Sequence, residues 1–277
     1  MENQLINIDS RFRDKSIYKE SSSFKINIEK IKFVKYIKLS SIEIPNTFYI
    51  FTKKKDNISF IITINKTDHP IIIEEGSYTI DLLFNYIQIL FNNLNNSHGY
   101  NLMLTFNEIS SCCNISNGSE KLNINFTNTT KYPSLGYMLG FRKNIYTCNN
   151  NYTSESVVNI VGDDYIFLRI NDYGIIYNDN LTYKLLAKII INKNKGTTIF
   201  DNQANFLSKE YIFKKPVNIS TLKIELYDSY GNLLCMDGQD FSATLEVGKI
   251  YEINEKYSSL FNDINMFNDI ASVYNRS

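Results

Sequence analysis

Residues 24–45 read FKINIEKIKFVKYIKLSSIEIP. Over the first six of these, Phe24, Ile26 and Ile28 alternate with Lys25, Asn27 and Glu29, so one face of an extended strand is apolar and the other is wet. From Phe33 to Pro45 the alternation slips. Val34 and Tyr36 share a face, Ile37 and Leu39 take the opposite one, and Ile42 and Ile44 return to the first. A period of two that changes phase inside one run predicts a β-bulge, or a bend between two sheets. Pro45 has no N–H to give a ladder and ends the run.

The same period recurs on both sides of one exception. Ile58, Phe60, Ile62 and Ile64 alternate, as do Leu102, Leu104 and Phe106 in LMLTF and Leu122, Ile124 and Phe126 in LNINF; the last two runs read as a hairpin joined by a polar loop. Further on, DYIFLRIND (164–172), LLAKIIIN (185–192), PVNISTLKIELYD (216–228) and DFSATLEV (240–247) give four more strands. Leu185–Ile191 is apolar on both sides and reads as a central strand. The exception is PIIIEEGSYTIDLLFNYIQILFNNL, residues 70–94. A short strand, Ile71–Ile73, stops at Glu74-Glu75-Gly76. Thr79 then stands as an N-cap with Asp81 in the first turn, where a carboxylate complements the helix dipole. Ile80, Leu83, Phe84, Ile87, Leu90, Phe91 and Leu94 follow at helical spacing and predict one long amphipathic helix lying across a sheet.

The organisation expected from this rhythm is mainly β: an antiparallel, jelly-roll-type β-sandwich from residues 24–57 and 145–250, interrupted by an α+β module at 58–144 that carries the helix. Within that module KYPSLGYMLGF (131–141) sets Gly136 and Gly140 between bulky residues, which fits a short helical turn or tight corner. Asn144–Ser156 reads as a linker. Residues 1–23 mix charge and serine with no sustained period beyond a short strand at 4–9, and read as an extended N-terminal arm. Arg11 and Arg13 are either solvated or laid on a neighbouring subunit. At the other end, residues 251–277 place Tyr257, Leu260, Phe261, Ile264, Phe267, Ala271 and Tyr274 at helical spacing, an amphipathic helix for the sandwich or for a partner.

Composition removes several classes of function. The 29 basic and 29 acidic residues cancel, so no global field draws the chain to nucleic acid or to an anionic membrane. No run of about 18 apolar residues is present and the first residues lack a signal-peptide layout, which together predict synthesis in the cytosol without membrane insertion. Cys112, Cys113, Cys148 and Cys235 have neither disulfide-ladder nor zinc spacing and read as free, buried thiols. His69 and His98 read as surface residues, in no nucleophile-elbow context. Phosphate-cradling glycine motifs are absent, so no cofactor is expected. Lys53-Lys54-Lys55 reads as a hairpin tip, with a phosphate patch as the alternative. Asp163-Asp164 and Glu74-Glu75 are adjacent carboxylates whose side chains would point to opposite faces of a strand, and they read as turn and edge charges.

Four short stretches carry a resemblance. Ile8-Asp9-Ser10-Arg11-Phe12-Arg13-Asp14, followed by Leu39-Ser40-Ser41-Ile42-Glu43-Ile44-Pro45-Asn46-Thr47, resembles structural proteins of nucleocytoplasmic large DNA viruses. Gly76-x-Tyr78-Thr79 and Leu135-Gly136-x-x-Leu139-Gly140-Phe141 are similar to the penton-like minor capsid proteins of those giant viruses and of related virus-like transposons. The resemblance implies a non-enzymatic jelly-roll virion protein, made in the host cytoplasm, that builds the icosahedral shell as a homopentamer at the fivefold vertex or as another minor capsid protein. Its partners would be copies of itself and other capsid proteins, with no specific nucleic acid. The assembly interface expected on this reading is Arg11, Phe12, Arg13, Leu260, Phe261, Ile264 and Phe267. The alternative is a β-sandwich carbohydrate-binding protein or glycosidase on the virion surface, since the 20 Tyr and 18 Phe could stack on sugars.

Overall fold

The computed structural model describes residues 2–179, 181–202 and 206–250. In chain order these form β1 (Glu2–Asp9), β2 (Ser23–Pro45), β3 (Ser59–Ile64), β4 (Thr67–Ile72), α1 (Ile80–His98), β5 (Leu102–Asn107), β6 (Cys112–Asn117), β7 (Leu122–Asn125), α2 (Leu135–Met138), β8 (Ile145–Asn149), β9 (Asn151–Thr153), β10 (Tyr165–Ile170), β11 (Ala187–Ile190), β12 (Thr198–Asp201), β13 (Phe206–Ser208), β14 (Tyr211–Tyr227) and β15 (Ser242–Lys249). The fold is mainly β, as its alternation requires. One curled eight-stranded sheet runs β1-β15-β2-β14-β10-β11-β13 with β12 also on β2; two small sheets run β4-β3-β7-β8 and β5-β6-β9.

The stretch at 24–45 is one strand of 23 residues. A first bulge lies at Phe33, ahead of the phase change between Tyr36 and Ile37, which follows a surplus residue between Val34 and Tyr36 opposite Lys249 and Gly248. Between the pairs Ile219–Ile31 and Val217–Val34, β2 uses one residue more than β14, and Phe33 absorbs the surplus with φ +56°, its N–H donating to Asn218 Oδ1 at 3.2 Å. A further bulge sits at Ser40, because Leu245 pairs with Leu39 while Thr244 pairs with Ser41. That extra residue turns Ile42 and Ile44 back toward the core, and Val34, Ile37, Leu39, Ile42 and Ile44 are all buried.

Two apolar cores result. The first joins β2 to β10, β11, β14 and β15 and takes in Ile6 and Ile8 of β1. The second gathers residues between Ile50 and Ile160 around α1, extending past the 58–144 module on both sides. Helix α1 begins as its sequence predicts, with Thr79 Oγ1 accepting from Leu82 N–H, and ends on Gly99 at φ +73°. Leu83, Phe84, Ile87 and Phe91 are buried, and Phe91 meets Phe60 of β3 edge-on. The polar side of α1 has a task that periodicity does not show. Gln88 Oε1 accepts from Leu104 N–H at 2.8 Å, while Asn95 accepts from Leu102 N–H at 2.8 Å and donates to its carbonyl at 3.0 Å. The open edge of β5 is thereby satisfied by helix side chains.

Several expectations are corrected. Residues 1–23 are not a free arm: β1 pairs with β15 along all eight of its residues. LMLTF and LNINF do not pair with each other. β5 forms a hairpin with β6, and β7 joins β3 in the other small sheet, because alternation specifies a buried face but not a partner. Asn144–Ser156 is no linker, since β8 and β9 lie within it and Tyr146 packs on Phe126 and Phe141. Lys53–Lys55 forms a 3-10 turn capped by Thr52 instead of a hairpin tip. The expected corner at 131–141 contains α2, where a Cβ on Gly136 would come within 2.1 Å of the Phe126 ring. Gly140 carries φ +95°.

Gly136→Ala is therefore expected to drive Phe126 out of the second core and lower unfolding free energy by about 1–3 kcal/mol, read as a drop in the urea midpoint with an unchanged slope.

Candidate functional site

The first candidate is the N-terminal motif, which the fold turns into a lock. Asp9 caps the turn that follows it by accepting from Arg11 N–H at 3.0 Å, and its carboxylate pairs with the Arg11 guanidinium at 2.5 Å. That contact holds the Asp9 carboxyl below the usual carboxylate range. Ser10 N–H donates to the Phe241 carbonyl and Ser10 Oγ donates to Asp240, both across the chain's full length. Arg13 is buried. Its guanidinium donates to the carbonyls of Ser10, Tyr18 and Lys19 at 2.7, 3.0 and 3.0 Å and ion-pairs with Asp240. Of the expected interface residues, then, Arg13 is committed to its own chain, Arg11 is exposed beside Asp9, and Phe12 stands 83% exposed between them. Leu260, Phe261, Ile264 and Phe267 lie outside the described residues.

The second candidate is a polar seam between the two cores. Asp228 is buried at the end of β14, and its carboxylate accepts from Tyr132 Oη and from the N–H groups of Tyr230 and Asn232. Asn232 also donates to Tyr132 Oη, and burial together with Asp228 pushes the Tyr132 phenol up. Asp163 accepts from Ser229 Oγ, and burial raises its pKa. It is half-buried, so the reading of Asp163-Asp164 as a pair of plain turn charges is corrected. Lys195 donates to the Phe48 carbonyl at 2.6 Å and lies 4.1 Å from the Phe48 ring centroid; burial, then the nearby Lys55 charge, lowers its pKa to about 8. Two cavities flank this seam, of about 250 and 380 Å³.

A third feature corrects the histidine reading for His69, while His98 is exposed as expected. The chain's two histidines meet: His69 of β4 is buried, its ring centroid lies 4.9 Å from that of His98 at the end of α1, and its Nε2 is 3.2 Å from Tyr100 Oη. No periodicity signals this contact, because one histidine sits on a strand and the other on a helix end. The cysteine reading is corrected in part. All four are free, but only Cys113 is buried, and burial pushes its thiol up; Cys148 and Cys235 are exposed. Among the described residues no group of three or more His, Cys, Asp or Glu side chains could hold a metal ion, and no helix is long and apolar enough to cross a membrane.

No family model and no curated protein matches the chain. Among solved structures it is similar to the selenomethionine-labelled mavirus penton protein, with 11% identity over 90% of this chain and 100% of that one and a TM-score of 0.45. At that distance no residue is carried over.

Two outcomes are expected. Arg13→Lys keeps the charge but loses the planar fork that reaches three carbonyls and Asp240, and thermal unfolding should show a loss of about 2–4 kcal/mol. Burial, then the His98 charge, holds His69 below 6.5, with Asp68 opposing weakly. The unfolded chain thus takes up the proton more readily, and this stabilisation is present above the unfolded pKa and lost as pH falls below it. The melting temperature should drop between about pH 7.5 and about pH 5.5, and His69→Gln should flatten that drop.

Proposed function

We propose that the chain is a structural protein of a virus particle, a penton or other minor capsid protein that works by assembly and not by catalysis. It would be made in the host cytoplasm and incorporated into the shell through contacts with copies of itself and with other capsid proteins. The observation that carries this reading is the placement of large apolar side chains on a rigid N-terminal segment. Leu5, Phe12 and Ile17 are 63%, 83% and 68% exposed, yet the backbone around them is fixed by the β1–β15 pairing and the Arg13–Asp240 lock. An immobilised, exposed phenylalanine contributes little to its own fold and much to a partner's. β1 is also an edge strand of the main sheet, with no strand on its other side among the described residues. The motifs quoted for the resemblance include this same segment, Ile8–Asp14.

Light scattering after size exclusion tests the proposal. The mass should rise with concentration toward about five protomers, and Phe12→Asp should hold it at one protomer without lowering the melting temperature. A wild-type chain that stays monomeric to its solubility limit overturns the penton, and a Phe12→Asp variant that assembles unchanged overturns the role given to the N-terminal segment.

A further inference from the structure

The segment 157–163 runs between the two cavities of the seam, and Ile50, Asn159 and Asp163 line both. The smaller is walled by the rings of Tyr132, Tyr137 and Tyr230. The larger mixes aliphatic side chains such as Ile80, Ile160 and Ile191 with polar ones that include Asn159, Lys193 and Lys195, and has Tyr78 at one side. Two kinds of unused hydrogen-bonding capacity face this cleft. On the acceptor side, Asp163 lines both cavities, accepts one hydrogen bond, from Ser229, and has no ion pair among the described residues. On the donor side, Lys195 Nζ has one carbonyl partner and Lys55 Nζ another, at Tyr49, so each ammonium keeps N–H groups in hand.

We propose that the smaller cavity is a binding site for a pyranose sugar, held by its hydroxyls between Asp163 and Lys55 and by its C–H face against the rings of Tyr132, Tyr137 and Tyr230. The mixture of spare groups selects the ligand class. An inorganic anion would use Lys55 and Arg142 but be set against Asp163, and a cationic side chain would use Asp163 but be set against Lys55 and Arg142. A hydroxyl both donates and accepts, so a ring bearing several of them satisfies both sets. Aromatic walls with a few convergent polar groups are the usual build of a small-ligand pocket, and the smaller cavity, of about 250 Å³, has room for one ring. This site lies apart from the N-terminal apolar residues and stands whether or not the chain assembles.

The test is saturation-transfer NMR on the full chain with methyl glycosides of glucose, galactose and mannose and with N-acetylglucosamine, using sodium phosphate and lysine methyl ester as competitors. At least one glycoside should receive saturation, and Asp163→Asn and Tyr230→Ala should each weaken it about tenfold or more, with circular dichroism unchanged. Tyr137→Ala, which alters an exposed ring, gives the same reading if a seam variant does not fold. The proposal is overturned if no glycoside binds, if phosphate or the lysine ester displaces it at equal concentration, or if the folded variants bind as the wild type does.

Discussion

A strand of 23 residues carries backbone donors and acceptors on both edges, and in a buried position nearly all of them must be paired. The rest of this molecule follows from how β2 meets that demand. β14 covers one edge from Ser23 to Ile37, β12 continues the same edge from Ile42 to Pro45, and β15 takes Val34 to Glu43 on the other. A perfectly regular strand of that length could not serve one curved core, since its apolar face would twist away from it. Surplus residues in β2, among them Phe33, one between Val34 and Tyr36, and Ser40, reset the phase, and the resets return the apolar set to the inside. The curl of the main sheet thus follows from local irregularities along one strand.

The irregularities after Val34 were legible, and the one at Phe33 was not. The shift from Val34 and Tyr36 to Ile37 and Leu39, and back to Ile42 and Ile44, can be seen without coordinates, because a period of two has only two phases. Helix α1 was legible for a similar reason: Thr79, Asp81 and a four-turn apolar stripe all point to the same element. What failed was everything that needs knowledge of a partner. Leu102–Phe106 and Leu122–Phe126 alternate equally well, and nothing local says that they belong to different sheets. The N-terminal strand was legible only as a short run because Glu2, Asn3 and Gln4 are wet on an edge, and its apolar positions reduce to Ile6 and Ile8. The seam was invisible for the same reason. Tyr132, Asp163, Lys195 and Asp228 come from four separate stretches, none of which alone points to the others.

The N-terminal motif shows how one short stretch can hold two roles. Asp9, Ser10 and Arg13 turn inward and spend their polar atoms on the chain itself, so their identity is fixed by the fold. Arg13 in particular requires guanidinium geometry, because three carbonyls and a carboxylate approach it from different directions. Phe12 does none of this. Its backbone is held between a cap and a lock, so a partner that covers the exposed ring would have only the side chain left to order. On the assembly reading the lock is what makes the exposed ring useful.

The seam raises the opposite question, why two apolar cores should meet across polar groups. Tyr132, Asp228 and Asn232 satisfy one another, and such a network fixes a single orientation of the α1-containing module against the main sheet where sliding apolar surfaces would allow several. Directional hydrogen bonds also hold their groups at set separations and prevent the close interdigitation of an aliphatic core. Space is left on both sides of residues 157–163 as a result, and Asp163 and Lys195, which line it, are groups whose hydrogen bonding the seam does not complete. Orientation and cavity are two consequences of one choice of residues, so the cleft exists because the joint is polar.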